Sequence, residues 1–147
     1  MDLEGLRVLD LYSGCGSYTA EAVSRGADRV LSIDISPESL RYQANAYKSF
    51  GIEDKITIKK ADAIRFIRKP GAFDSIELVF ADPPFGLGLE DKFAESLCQI
   101  SPDTNSLFVL EHRPAFSLKK YGSVKILKEN TFGNSAYTIF QLTQKKT

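Results

Sequence analysis

Arg7-Val8-Leu9-Asp10-Leu11-Tyr12-Ser13-Gly14-Cys15-Gly16 opens the chain with a short apolar run that breaks at once into a Ser/Gly turn. An apolar run of this length reads as a buried strand. The glycines after it let the backbone turn tightly and come close to a ligand. A helix from Ser17 to Arg25 follows, with Gly26 placed to end it in the left-handed conformation. Its first turn presents free N–H groups towards the loop.

The same alternation continues outward from this unit. Arg29 to Asp34 reads as a second strand, and Ser36-Pro37 as the N-cap and first turn of a helix that Gly51 closes. Lys55 to Lys60 gives a third strand and Asp62 to Arg68 a short helix. Ile76 to Ala81 is the most hydrophobic strand and runs straight into Asp82-Pro83-Pro84-Phe85. A helix from about Leu89 to Ile100 precedes a strand from Ser106 to Glu111, and residues 122–131 and 135–143 read as two strands joined at Gly133-Asn134. The fold class expected is α/β: a doubly wound, Rossmann-like sheet, mostly parallel, with a C-terminal antiparallel hairpin, in a single domain over residues 1–147.

In such sheets ligands bind beyond the carboxyl ends of the strands. Gly14-Cys15-Gly16 is followed by Ser17, Tyr18 and Thr19, so the third glycine of the dinucleotide G-x-G-x-x-G pattern is absent, as is the P-loop lysine. Asp10 suits the cationic side of S-adenosylmethionine better than a pyrophosphate. Asp34, ending the second strand, is placed to accept the hydroxyl protons of a ribose. Asp62 either borders the adenine or caps the helix after it. Tyr12, Ser13, Gly14 and Gly16 of the loop, Ile35 and Ala63 beside the two aspartates, and Asp82 complete the expected cofactor-binding set.

Asp82-Pro83-Pro84-Phe85 is the most specific feature. Consecutive prolines stiffen the loop and leave carbonyls free of local N–H competitors. If the Asp82 carboxylate and the Pro83 carbonyl accept the two hydrogens of an exocyclic amine, its lone pair is turned towards the methyl donor. Phe85 then stacks on the base. Asp82, Pro83, Pro84 and Phe85 are the expected catalytic set, acting mainly by positioning.

Totals constrain the partners. Lys plus Arg equals Asp plus Glu at 19 each, so the chain as a whole lacks the basic surplus usual in nucleic-acid binders. Basic clusters do occur, at Lys59-Lys60, Arg65 to Lys69, Lys119 to Lys128 and Lys145-Lys146. Cys15 and Cys98 show neither metal-ligand spacing nor a disulfide framework, no metal site is expected, and no run is apolar enough to span a membrane. A cytoplasmic setting is expected. His112, the single histidine, reads as a rim residue near the pocket, and Tyr12 and Tyr18 either flank the ligand or pack at the sheet edge.

These motifs together resemble those of the RsmD-like branch of class I methyltransferases, which act on guanine N2 in small-subunit (16S) ribosomal RNA. Val8 to Gly16 resembles the family's V-L-D-L-F-A-G-S-G, Glu21 to Ala27 its E-A-L-S-R-G-A, Val79 to Phe85 its V-F-x-D-P-P-F, and Phe132 to Tyr137 its closing hairpin. Asp34, Asn45 and Asp62 fall at its later motif positions. The resemblance implies S-adenosylmethionine as cofactor and RNA, free or in an assembling particle, as partner. Asp in place of the Asn of N-P-P-Y tilts away from adenine N6 and protein glutamine; these, a small amine, and a catalytically silent cofactor-binding or RNA-binding subunit are the rival readings. Family members usually carry a further basic segment before the first strand. Its absence before Arg7 implies a shortened form, or a partner subunit or self-association in its place.

Overall fold

The computed structural model describes residues 2–143; the Lys145-Lys146 cluster lies outside them. Seven strands form one sheet: β1 (Arg7–Leu11), β2 (Arg29–Asp34), β3 (Ile56–Lys60), β4 (Leu78–Ala81), β5 (Leu107–His112), β6 (Val124–Phe132) and β7 (Ser135–Leu142). Between them lie α1 (Ser17–Ser24), α2 (Pro37–Phe50), α3 (Ala63–Ile67) and α4 (Leu89–Ile100). The spatial order is β3-β2-β1-β4-β5-β7-β6, with the first five strands parallel and β7 antiparallel to both neighbours. The chain winds outward from β1 through β2 to β3, then restarts on the other side at β4. The crevice between the ends of β1 and β4 is therefore the topological switch point.

Alternation along the strands builds two unequal cores. Leu9, Leu11, Ile33, Val79, Ala81, Phe108, Leu110 and Phe140 face α3 and α4, meeting Phe66, Ile67, Phe93 and Leu97. Val8, Val30 and Leu78 face the other way, against Ala22 and Ala27. Helix ends follow their chemistry. The Ser36 hydroxyl accepts the Ser39 N–H at 3.2 Å, with Pro37 in the first turn, and Gly51 closes α2 at φ 69°. α1 ends at Ser24 rather than Arg25, and Gly26 follows at φ 98°.

Several boundaries shift by one or two residues from the sequence reading, and two of the shifts have tertiary causes. β4 begins at Leu78, not Ile76: Ser75 takes φ 60° and Ile76 N–H bonds back to the Phe73 carbonyl, so a turn occupies the start of the apolar run. β5 extends to His112, because β7 pairs with it as far as Ala136. Among the described residues no helix is long and apolar enough to cross a membrane, and no group of three or more His, Cys, Asp or Glu could hold a metal.

Candidate active site

The glycine loop is held from beneath by α2. Gln43 is fully buried and uses both ends of its amide. Nε2 donates to Ser13 Oγ at 2.9 Å and to the Gly14 carbonyl at 2.7 Å, while Oε1 accepts from Ser32 at 2.7 Å and from Tyr47 at 3.0 Å. Tyr47 also donates to the Gly16 carbonyl at 3.1 Å. Gly16 sits at φ 83°, and a Cβ there would overlap the Tyr47 hydroxyl. Gly14, at φ 56°, has nothing within 4 Å of where a Cβ would stand, so the loop's upper side is open.

Asp34 ties the second strand end to this loop. Its Oδ2 accepts the Gly14 N–H at 2.8 Å and its Oδ1 the Ser36 N–H at 2.8 Å. Each oxygen keeps a lone pair for a further donor. Ile35, at 61% exposed, and Asp62 then form walls of a cleft of about 730 Å³ whose rim carries Lys60, Arg65 and Lys69. Asp62 is the N-cap of α3, accepting Arg65 N–H at 3.0 Å, which realises one of its two expected roles; Ala63 is buried in the first turn.

Asp10 lies in the floor, 1% exposed. Its Oδ2 accepts the Thr19 hydroxyl at 2.7 Å, and its Oδ1 is buried with no partner. Burial, against the Thr19 hydrogen bonds and with a smaller push from Asp34, raises its pKa to about 7. An acceptor kept dry and unsatisfied beneath an open glycine loop fits a ligand that brings positive charge.

Across the switch point, the Asp82 N–H donates to the Leu11 carbonyl at 3.4 Å, joining the two strand ends. Pro83 is buried, while Pro84 and Phe85 are exposed. Burial raises the Asp82 pKa to about 7, helped by a hydrogen bond with the Glu111 carboxyl and by the charges of Glu111 and Asp10. Glu111 in turn accepts from the Tyr18 hydroxyl at 3.1 Å, and the Tyr18 ring stacks on Phe80 with centroids 5.0 Å apart. Tyr12, at φ 57°, turns its ring edge to Phe93 at 6.2 Å, and its buried hydroxyl has no partner. Burial, then the Asp62 charge, raises that hydroxyl's pKa.

Asp10, Tyr12, Ser13, Gly14, Gly16, Asp34 and Asp82 thus lie at the carboxyl ends of β1, β2 and β4, with Phe85 exposed in the loop after β4. His112 is not a rim residue. It is 4% exposed, its Nε2 lies 2.7 Å from Thr138 Oγ1 and its Nδ1 2.7 Å from the Arg113 carbonyl. The β5 alternation turns it towards the core and Glu111 towards the crevice. Asn45 is exposed on α2, and the helix residues that reach the loop are Gln43 and Tyr47. Sequence reasoning missed Gln43, Tyr47, Thr19 and Glu111. It also missed Glu90, buried at the start of α4, which accepts both the backbone N–H and the Nε of Arg113 at 2.9 Å and so fixes the helix that follows Phe85.

Residues 1–141 match the family described as conserved hypothetical protein 95. The ribosomal RNA small subunit methyltransferase D of Haemophilus influenzae is 28% identical over 141 residues, covering 90% of this chain and 70% of its own length. Ribosomal protein L11 methyltransferase of Vibrio parahaemolyticus matches a shorter stretch, 34% identical over 58 residues, 40% of this chain and 20% of that protein. Among solved structures, a proposed methylase of Haemophilus influenzae superposes with a TM-score of 0.83 at 23% identity, covering 97% of this chain and 82% of that one. An RNA methyltransferase of Salinibacter ruber, solved with S-adenosyl-L-homocysteine, gives 0.73 at 15% identity over 96% and 83%. The superpositions, both under 25% identity, establish a shared fold.

Proposed function

The chain belongs to the conserved hypothetical protein 95 family, that of the RsmD-like methyltransferases, and on that premise we propose that it methylates the exocyclic N2 of a guanine in small-subunit ribosomal RNA. The observation that carries the reading is the joining of two strand ends at the switch point. Asp82-Pro83-Pro84-Phe85 sits directly beside the glycine loop, through the Asp82 N–H and the Leu11 carbonyl.

S-adenosylmethionine supplies an electrophilic methyl group on a sulfonium. The chain's residues bind and orient. Asp34 offers its remaining lone pairs to ribose hydroxyls, Ile35 an apolar surface to the adenine, and Asp10 a negative charge to the cationic end. Facing them, the Asp82 carboxylate and the Pro83 carbonyl accept the two N–H bonds of the amine and aim its lone pair. The exposed Phe85 ring stacks on the base. When nitrogen gains a carbon it must lose a proton, and Asp82, holding its pKa at about 7 beside Glu111, is the acceptor at hand.

Separating binding from transfer tests this assignment. Asp82→Ala is expected to retain cofactor binding by calorimetry and to lose methyl transfer to unmodified small-subunit RNA, whereas Asp34→Ala is expected to weaken binding itself. Unchanged turnover in Asp82→Ala would remove the catalytic assignment.

A further inference from the structure

The C-terminal hairpin carries one face that the catalytic reading leaves unused. Antiparallel partners project to the same side of a sheet, and the register pairs Lys125 with Gln141, Lys128 with Ile139, Asn130 with Tyr137 and Phe132 with Ser135. Lys125, Lys128, Asn130 and Phe132 therefore share a face with Tyr137 and Ile139. The opposite face of β7 (Ala136, Thr138, Phe140) is buried in the core. A bulge between Ile126 and Lys128 keeps the second lysine on the open side.

Side-chain contacts support this placement. Asn130 Nδ2 donates to the Tyr137 hydroxyl at 3.4 Å, and the Phe132 and Tyr137 rings lie 6.0 Å apart, tilted by 48°. Asn130, with a smaller contribution from Lys128 and against burial, lowers the Tyr137 pKa. Phe132 is 49% exposed at the hairpin tip. The open face of β6 is thus two cations, an amide and a ring, with no carboxylate. Its one acid, Glu129, pairs with Thr138 on the other face and meets Lys119 at 3.8 Å. In a chain of zero net charge this is a local segregation of charge. An acidic peptide would use the lysines and leave the rings idle. Unpaired nucleotides use both, stacking bases on the rings and setting phosphates against the ammonium groups.

The position of the hairpin fits as well. Tyr137 is the cross-strand neighbour of Glu111, and Ala136 of His112, at the carboxyl end of β5. The hairpin tip therefore lies at the same end of the sheet as the catalytic loop. We infer that the open face of β6 and β7, with Lys125, Lys128, Phe132 and Tyr137, docks the single-stranded RNA flanking the methylated nucleotide. This rests on the RNA reading above and assigns it a surface.

The test combines transfer kinetics with fluorescence anisotropy on a labelled single-stranded fragment of unmodified small-subunit RNA. Lys125→Glu/Lys128→Glu changes only exposed side chains and is expected to raise the KM for RNA at least about tenfold. It should also flatten the salt dependence of binding by about 1.4 in log–log slope, with kcat and cofactor affinity unchanged. Phe132→Ala is expected to raise KM by roughly five- to a hundredfold. If wild type methylates RNA and these variants match it in KM and salt slope, the docking surface is overturned while the family reading stands. If wild type binds cofactor but methylates no RNA, the RNA-methylation reading fails. Anisotropy then decides the hairpin: RNA binding lost in the variants supports it, and no RNA binding by wild type overturns it.

Discussion

Replacing Asp10 by asparagine should remove one pH-dependent part of the fold's stability. In the folded chain the Asp10 carboxyl has its pKa raised from 3.8 to about 7, because burial outweighs the Thr19 hydrogen bonds. A group raised in this way binds its proton more tightly folded than unfolded. Its contribution is therefore fully present below about pH 4 and is lost as pH rises to about 7. At about 1.36 kcal/mol per pH unit, ionisation of Asp10 costs the ligand-free fold on the order of 4 kcal/mol by pH 8. Asparagine keeps an acceptor for Thr19 but carries no charge. Whatever constant cost its buried amide brings, the stability difference between variant and wild type should move by about 4 kcal/mol in the variant's favour from pH 4 to pH 8. Urea unfolding at intervals across that range reads this directly. Parallel curves for the two proteins would refute the account of Asp10 as a carboxyl stranded by burial. On the proposed role of Asp10 against the cofactor's cationic end, the same substitution is expected to weaken cofactor binding at least about tenfold.

Three further outcomes follow from the site. Gly16→Ala forces a side chain into the left-handed region and onto the Tyr47 hydroxyl, so a loss of at least about 2 kcal/mol in unfolding free energy is expected; wild-type stability in the variant would show that the α2 brace yields. Gln43→Ala strands the Ser32 hydroxyl and the Gly14 carbonyl, at about 2–4 kcal/mol, with weaker cofactor binding by calorimetry. On the proposed role of Asp82, accepting amine hydrogens as a carboxylate, kcat/KM should rise with pH through about 7. Glu111→Gln, which removes a neighbouring charge, should move that limb to lower pH; a limb that stays in place would separate Glu111 from the titration.

Most of the fold was legible because it is written in local signals. Ser36-Pro37 and Gly51 bound α2 as expected, β2 spans Arg29–Asp34 as read, and Gly133-Asn134 joins the two antiparallel strands. Two of the shifted boundaries have tertiary causes: the turn at Ser75 shortens β4, and pairing with β7 lengthens β5. The placement of the candidate site was legible because strand ends collect polar residues at the carboxyl edge of a parallel sheet. Its supports were not. Gln43 and Tyr47 lie on a helix whose outward positions also carry polar and aromatic residues, such as Asn45 and Tyr42, and only the packing of α2 under the loop selects the inner pair. His112 and Glu111 are adjacent in sequence and serve opposite faces. A one-residue parity decides which reaches the crevice, and that parity is set by the β5–β7 register.

The central claim is tested most directly by incubating the chain with labelled S-adenosylmethionine and unmodified small-subunit ribosomal RNA, naked and in particles, and resolving the digested nucleosides. Labelled N2-methylguanosine is the predicted product. Label in a different nucleoside, or none in RNA while the cofactor binds, would contradict the assignment.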